Sequence, residues 1–263
     1  MIDTHIHILP HLDDGAKDLD TALEMARMAW EDGTKAVIAT PHVIPGAYNY
    51  SKAAIIAAVE NLQNHLQQHK IPLTIMPGAE YYFDSHLPER AARGELLTLN
   101  DTGRYLLIEF PAVQVPEYSA RILYELQLQG ITPIIAHPER NQELSRNSKL
   151  LADFVSRGMY AQVTAASITG VFGKIIQNTA KNLMRQGLIH IIASDAHTIR
   201  SRSPLLSPAG QKVASAFGTP YAERLLRENP QAIARGNDLL ALPVTTLPPS
   251  GWVQRIKKKL GFN

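Results

Sequence analysis

The chain has 263 residues, 45% of them hydrophobic and 19% charged, so it is long enough to bury a substantial core without disulfide bonds. Its 26 basic and 24 acidic residues leave a net charge of +2, which is too balanced for a nucleic-acid-binding groove. The chain has no cysteine, which excludes thiolate metal sites and every mechanism that uses a cysteine nucleophile.

Targeting signals are not apparent in the sequence. Residues 1–5 are polar and acidic, without the cationic and apolar regions of a signal peptide. No apolar run approaches the roughly 20 residues that a membrane-spanning helix needs. These features predict a cytoplasmic protein.

Short apolar or β-branched runs alternate with longer amphipathic stretches along the chain. The short runs predict seven strands, at Thr4–Leu9, Lys35–Ala39, Leu73–Pro77, Tyr105–Glu109, Thr132–Ala136, Tyr160–Val163 and His190–Ala193. Thr21 and Glu24 have the spacing of a capping box, which predicts the start of the first helix. Ser51 is predicted to cap the second helix. Further helices are predicted at Glu117–Gln129, Lys149–Arg157 and Phe172–Gln186.

This alternation indicates an α/β fold with a parallel sheet. No glycine-rich phosphate loop follows the first strand, which disfavours an open dinucleotide-binding sheet and favours a closed barrel. In a barrel, functional side chains are expected at the carboxyl ends of the strands, around one mouth.

The candidate metal ligands have this placement, because they lie in or just after six of the seven predicted strands. They are His5, His7, His42, Glu80, Glu109, His137, Asp195 and His197. His5 and His7 are two residues apart on one strand, so both imidazoles point to the same side and can bind one ion. Taken alone, this pair leaves a metal role open, because two histidines on a strand can also be surface residues.

Taken in order, the motifs resemble the PHP (polymerase and histidinol phosphatase) superfamily. The closer resemblance is to the bacterial manganese-dependent protein-tyrosine phosphatases of the CpsB/YwqE type, which are encoded with capsule and exopolysaccharide genes. The matching phrases are His5–His7 with Asp13-Asp14-Gly15, Thr40-Pro41-His42, Gly78-Ala79-Glu80, Glu109-Phe110-Pro111, Ala136-His137-Pro138-Glu139-Arg140 and Ser194-Asp195-Ala196-His197. They span roughly residues 1–240.

The resemblance implies a distorted (β/α)7 TIM-like barrel of the PHP type over residues 1–242, with three metal ions. One ion would be held by His5, His7, Glu80 and Asp195; a second by Glu80, Glu109 and His137; and a third by Asp14, His42 and His197. Arg140 matches a phosphate-binding arginine. Arg202 matches a second one, although Arg200 lies two residues away and leaves that assignment open.

Charge supports three ions. The carboxylates of Asp14, Glu80, Glu109 and Asp195 bring four negative charges, so two divalent ions would leave the site neutral and three would leave it at +2. Only a positive site attracts both a hydroxide and a phosphate dianion. Nitrogen and oxygen ligands suit manganese, iron or zinc, and the resemblance favours Mn²⁺.

The expected function is hydrolysis of phosphotyrosine on a partner bacterial tyrosine kinase by a metal-activated hydroxide, in the control of capsule or exopolysaccharide synthesis. Tyr48 and Tyr50 follow the second strand and are interpreted either as ordinary loop packing or as an aromatic wall for the phenyl ring. The rival functions are a small-molecule PHP phosphatase, acting on histidinol phosphate or a nucleotide, and a non-catalytic PHP binding module.

Residues 243–263 have a different character from the rest of the chain. They begin with a proline-rich linker and end in a stretch that carries Arg255 and Lys257–Lys259 beside an apolar stripe. Two interpretations are open, a solvated tail and a segment that makes weak contact with an anionic membrane surface.

Overall fold

The structure, a computed structural model, describes residues 1–242. The predicted tail at 243–263 lies outside the described residues. Strands and helices follow one another along these residues, but nine strands take the place of the seven predicted, because no helix separates the second strand from the third or the fourth from the fifth. The strands are β1 (Ile2–Ile6), β2 (Ala36–Ala39), β3 (His42–Val43), β4 (Thr74–Pro77), β5 (Glu80–Tyr82), β6 (Tyr105–Glu109), β7 (Thr132–Ala136), β8 (Tyr160–Thr164) and β9 (Ile191–Ala193).

The helices fill the intervals between the strands and the carboxyl-terminal part. They are α1 (Leu19–Glu31), α2 (Lys52–Gln68), α3 (Leu87–Ala92), α4 (Ser119–Leu128), α5 (Gln142–Arg146), α6 (Ser148–Ser156), α7 (Ala165–Thr169), α8 (Lys174–Arg185), α9 (Ser207–Phe217), α10 (Thr219–Glu223) and α11 (Asn229–Ala234). A 3-10 turn at Leu99–Asp101 precedes β6, and a π-helical stretch, Arg224–Glu228, joins α10 to α11. No helix among residues 1–242 is both long enough and apolar enough to cross a membrane.

All strand pairs in the two sheets are parallel. One sheet has the order β1-β2-β4, and the other has the order β3-β5-β6-β7-β8-β9. The α/β class with parallel strands is therefore confirmed. The predicted single closed barrel is not confirmed, because the described residues form two separate sheets and not one continuous sheet.

Two interruptions of the chain separate the sheets. β2 ends before Thr40-Pro41 and β3 starts after it, while β4 ends before Gly78-Ala79 and β5 starts after it. Pro41 has no N–H to donate to a strand ladder. Gly78 has no room for a side chain, since a Cβ there would lie 2.7 Å from Cγ2 of Ile38. The carboxyl end of β1 meets the segment after β9, where the Asp195 N–H donates to the His5 carbonyl and the His7 N–H to the Ala196 carbonyl.

The apolar strand residues and the inner faces of the helices form the core. One face of α2 packs against this core, because Ile55, Val59, Leu62 and Leu66 are its buried residues. Ser51 caps this helix as predicted, accepting the Ala54 N–H at 3.2 Å. The predicted capping box of α1 is wrong: the helix starts one turn earlier, and Asp18 accepts the N–H of Thr21 at 2.8 Å.

Candidate metal centre

Strand ends bring the nine predicted ligands together. His5 lies on β1 and His7 just beyond it, His42 and Glu80 open β3 and β5, and Glu109 ends β6. Asp14 comes from the loop after β1, His137 follows β7, and Asp195 and His197 follow β9. Ion-pair distances of 4.0 Å or less connect all nine side chains into one cluster.

Glu80 is the centre of the cluster, and its carboxylate is fully buried. Its Oε2 lies 3.2 Å from Nε2 of His5, 3.3 Å from Nε2 of His7 and 3.1 Å from Nδ1 of His42. Its other oxygen, Oε1, lies 3.0 Å from Nε2 of His137. One carboxylate therefore contacts histidines from all three predicted ligand groups, as a bridging ligand should.

Asp195 closes the first group from the opposite side. Its Oδ1 lies 3.4 Å from Nε2 of both His5 and His7, whose own Nε2 atoms are 3.1 Å apart. Divalent ions with bonds of about 2.1 Å hold neighbouring ligand atoms roughly 3.0–3.4 Å apart in octahedral or tetrahedral geometry. The separations in this group match that spacing.

The other two groups contact each other through His42. Glu109 Oε1 lies 3.5 Å from Nε2 of His137, and its Oε2 lies 3.8 Å from Nδ1 of His42. Asp14 Oδ1 lies 3.6 Å from Nε2 of His42 and 3.4 Å from Nε2 of His197. His42, a predicted ligand of the third group, thus also lies within 4.0 Å of a ligand of the second.

The donor set fits divalent ions. Sets of ligand atoms mutually within 4.8 Å occur at His7, Asp14, His42 and His197, at His5, His7 and Glu80, and at His42, Glu80 and Glu109. Three buried atoms of these sets have no hydrogen-bond partner among the described residues, namely Nδ1 of His42, Oε2 of Glu80 and Nε2 of His197. Buried polar atoms without partners are costly, and a bound cation would satisfy all three.

Electrostatics also suit a cation. Burial lowers the pKa of His137 and of His197 to about 4, so both imidazoles are neutral and can bind metal. Burial alone would raise the pKa of Glu80, but the adjacent His5 and His137 hold it well below its usual value. Burial raises the pKa of Glu109 to about 7, and the neighbouring Glu80 adds to the effect.

Asp13 is a functional residue that the sequence analysis assigned no role. Its Oδ2 lies 2.6 Å from Nδ1 of His7 and accepts the His42 N–H at 2.9 Å. A carboxylate on the far nitrogen of a ligand histidine fixes the tautomer and orientation of that ring. On the other side, Gln162 Oε1 lies 2.7 Å from Nδ1 of His5 and supports that ring in the same way.

Gly15 lets the Asp13-Asp14 loop approach β1 closely. A Cβ at this position would lie 2.2 Å from the carbonyl oxygen of His7 and 2.5 Å from its Cβ. No side chain fits there. The glycine is therefore what brings both Asp13 and Asp14 to the site.

Two of the ligand residues have a strained backbone. His137 has φ of 31° and Asp195 has φ of 50°, values that non-glycine residues rarely adopt. Such strain persists where the surrounding structure enforces it, commonly at functional sites. His137 follows directly on β7 and Asp195 lies two residues after the end of β9, so buried strands fix the positions of both.

A cavity of about 280 Å³ opens beside the cluster and is lined by Asp14, His42, Glu109, His137 and Asp195 among others. Arg140 and Arg202 line the same cavity. Nη2 of Arg140 lies 2.6 Å from Oδ2 of Asp195, and Nη2 of Arg202 donates to both oxygens of Asp195 at 2.9 Å. Arg200 does not line this cavity.

The aromatic residues around the cavity differ from the two that the sequence singled out. Tyr48 stacks on His42, with ring centroids 6.1 Å apart, whereas Tyr50 lines a separate groove. Phe110 lines the cavity itself, and Phe172 packs on Arg140 with 5.5 Å between Cζ and the ring centroid. Sequence reasoning missed Phe172 because it lies between α7 and α8, away from every motif.

Two buried carboxylates support the strand ends without reaching the ligand cluster. Asp3 accepts the Ser194 N–H at 3.0 Å, and burial raises its pKa to about 6. Glu139 accepts the Thr164 N–H at 3.0 Å and the Ser167 hydroxyl at 2.6 Å. Glu139 lies inside the motif around His137, and Asp3 lies two residues before His5, so closeness to the ligands in the sequence was the only signal that could have identified them.

Comparison with known proteins adds independent information. The family model described as capsular polysaccharide synthesis, CpsB/CapC, matches residues 1–235. The tyrosine-protein phosphatase YwqE of Bacillus subtilis is 40% identical over 245 residues, which cover 92% of this chain and 95% of YwqE. The tyrosine-protein phosphatase CpsB of Streptococcus pneumoniae is 29% identical, and the match covers 89% of this chain and 98% of CpsB.

A solved structure agrees in fold with this chain. It comes from crystal structures of YwqE from Bacillus subtilis and CpsB from Streptococcus pneumoniae, described as unique metal-dependent tyrosine phosphatases. Its TM-score is 0.89 at 40% identity, and the match covers 93% of this chain and 100% of the solved one. A phosphotriesterase homology protein from Escherichia coli, solved with phosphate in its active site, is similar in fold alone, with a TM-score of 0.57 and 14% identity.

Proposed function

Because this chain belongs to the CpsB/CapC family, we propose that it is a metal-dependent tyrosine-protein phosphatase. The observation that carries the proposal is the shared cavity: three groups of metal-ligand side chains and two arginines open onto one space of about 280 Å³. Metal ligands alone would suit many hydrolases. Two guanidinium groups beside them suit a phosphate ester.

We propose that the nine predicted ligands hold three Mn²⁺ ions, with iron or zinc as alternative metals. The ligand-atom spacing, the neutral His137 and His197, and the unpartnered Glu80 oxygen support this assignment. Asp13 modifies the charge argument, since a fifth carboxylate reduces the excess left by three divalent ions to +1. The positive charges of Arg140 and Arg202 more than offset this reduction, so the net charge around the cavity is still positive.

When bound, the ions supply an activated water as nucleophile and stabilise charge on the phosphate. The residues of the chain orient the substrate around them. The planar guanidinium of Arg140 can bind two phosphate oxygens at once, and Arg202 supplies a second such group from the loop after β9. Asp195 holds both arginines at the edge of the metal cluster.

A phenolate leaving group has a conjugate acid of pKa about 10, so it departs with less need of protonation than an alkoxide. An aryl phosphate therefore suits this cavity, because a phenolate can leave without a dedicated proton donor beside the metal ligands and arginines that line it. Phe110 and Tyr48 offer aromatic surfaces for the phenyl ring.

The physiological substrate is proposed to be a partner bacterial tyrosine kinase that carries phosphotyrosine, in capsule or exopolysaccharide synthesis. The family description supports the capsule context. A cytoplasmic location is part of this proposal, since a kinase that uses ATP phosphorylates its tyrosines there. We also propose that the two sheets are parts of one distorted barrel of the PHP type, joined where β1 meets the segment after β9.

Hydrolysis assays test the proposal. The purified protein with Mn²⁺ is expected to release phosphate from phosphotyrosine faster than from phosphoserine or histidinol phosphate, and chelation should abolish the activity. A preference for histidinol phosphate would point to a small-molecule phosphatase. Absence of hydrolysis from a folded, manganese-loaded protein would favour a binding module.

A further inference from the structure

A groove of about 400 Å³ lies near the cavity, because Gly15 and Ser201 line the groove and their sequence neighbours Asp14 and Arg202 line the cavity. It lies between the loop after β1 and the loop after β9, the same loops that carry Asp14 and Asp195 to the metal cluster. The residues that matter for its chemistry are Lys17, Ile199 and Arg200. A polypeptide that places a side chain in the cavity can place a neighbouring side chain in this groove.

The groove has an uncompensated positive charge. None of the residues that line it is acidic. Arg200 has no acidic partner within 4.0 Å among residues 1–242, and Lys17 contacts only Asp18, at 3.7 Å and with its own side chain 81% exposed. A second groove, near Tyr50, differs because its arginines pair with its own carboxylates.

Arg200 and Arg202 have different positions on one loop. The N–H groups of His197 and Thr198 both donate to the carbonyl of Arg202, which closes a short loop with Arg200 near its tip. Arg202 lies at the base and turns into the cavity, where it binds Asp195. Arg200 is exposed and turns into the groove instead.

We propose that this groove is a specificity subsite that binds an acidic side chain next to the phosphotyrosine of the substrate polypeptide, with Arg200 as the main contact. The inference rests on the proposed phosphatase function. Charge complementarity identifies the occupant, because Arg200 has no acidic partner among residues 1–242 and no acidic residue lines the groove, so a carboxylate is favoured there. Ile199, 39% exposed, provides an apolar surface for the aliphatic part of that side chain.

Paired peptides test the subsite. Two phosphotyrosyl peptides would differ only in carrying glutamate or glutamine on both sides of the phosphotyrosine. The wild-type protein with Mn²⁺ is expected to show a kcat/KM about 3- to 5-fold higher for the acidic peptide at low ionic strength, the range of an exposed ion pair. The preference should disappear at about 1 M salt, because the charges are screened.

Two variants locate the effect. Arg200→Gln should lose the preference and keep its activity on 4-nitrophenyl phosphate, which is too small to reach the groove. Arg235→Gln is the matched control, since Arg235 is exposed at the end of α11, beside the 3-10 turn that precedes β6. It should keep both the preference and the activity.

The outcomes separate the two proposals. Equal rates on both peptides in the wild-type protein, or a preference that survives Arg200→Gln, would overturn the subsite while leaving the phosphatase function intact. A loss of 4-nitrophenyl phosphate activity in Arg200→Gln would overturn it as well, since it would place Arg200 in the phosphate site. No hydrolysis of any of the three substrates would overturn the phosphatase function itself.

Discussion

Replacing Asp13 by asparagine removes a negative charge beside His7 and leaves the size of the side chain unchanged. Both carboxylate oxygens of Asp13 are in use: Oδ2 faces Nδ1 of His7 and the N–H of His42, and Oδ1 accepts the N–H of Gly15 at 2.9 Å. An asparagine has only one acceptor oxygen. The NH2 group of the asparagine must therefore face either the N–H of Gly15 or the donors of the two histidines. In either orientation two hydrogen-bond donors face each other.

The expected loss can be derived from these contacts. Leaving a buried donor without a partner costs about 1–3 kcal/mol. Removing a carboxylate that orients a ligand histidine typically weakens metal binding about 10- to 100-fold, equivalent to about 1.4–2.7 kcal/mol. The two ranges overlap, so we expect Mn²⁺ affinity of Asp13→Asn to fall by one to two orders of magnitude.

Isothermal titration of the metal-free protein with Mn²⁺ measures this effect without relying on activity. Asp20→Asn is the matched control, because it makes the same charge change at an exposed position in the first turn of α1. A thermal melt of both metal-free variants checks that they are folded. Equal Mn²⁺ affinity in Asp13→Asn and Asp20→Asn would refute the role of Asp13 in orienting His7.

Three further predictions concern the same site. Gly15→Ala should destabilise the metal-free protein by about 1–3 kcal/mol in urea unfolding, since its Cβ would overlap the His7 backbone. Burial would lower the pKa of His5 and of His7, but the neighbouring carboxylates raise both pKa values above the ordinary 6.5. The protonated histidines therefore stabilise the metal-free protein, and this stabilisation should fade as the pH rises above 6.5. Mn²⁺ competes with the same protons, so its affinity in titrations should rise over that range. Arg140→Lys should raise KM for 4-nitrophenyl phosphate about 10-fold or more, because lysine lacks the planar fork, and should leave bound manganese unchanged.

The sequence predicts the elements whose signal is local. β6 and β7 have the predicted bounds, because each is a short apolar run with the period and length of a buried strand. The strand-end rule then predicted that Glu109 and His137 lie close together, and both line the cavity. Neither prediction needed knowledge of distant contacts.

The parts that the sequence did not predict depend on contacts between distant segments. Asp13 and Asp14 are neighbours with the same chemistry, and only the packing of Gly15 on His7 decides which one reaches the metal cluster and which one orients His7. The helices after β9 were also missed. A residue distant in the sequence stabilises the start of α9: Asp32, at the end of α1, accepts the N–H groups of Leu206 and Ser207 at 2.7 and 2.8 Å.

The departure from a single sheet and the geometry of the metal cluster have one structural origin. The interruptions at Pro41 and Gly78 end β2 and β4 and start β3 and β5, and the first residues of these two new strands, His42 and Glu80, are partners in register. That register sets Nδ1 of His42 3.1 Å from Oε2 of Glu80. If the strands were continuous, their regular pleat would continue past this point, and successive side chains would point to opposite faces of the sheet. The interruption therefore removes the strand pairing at Thr40-Pro41 and Gly78-Ala79, and it places the ligands His42 and Glu80 side by side in the cluster.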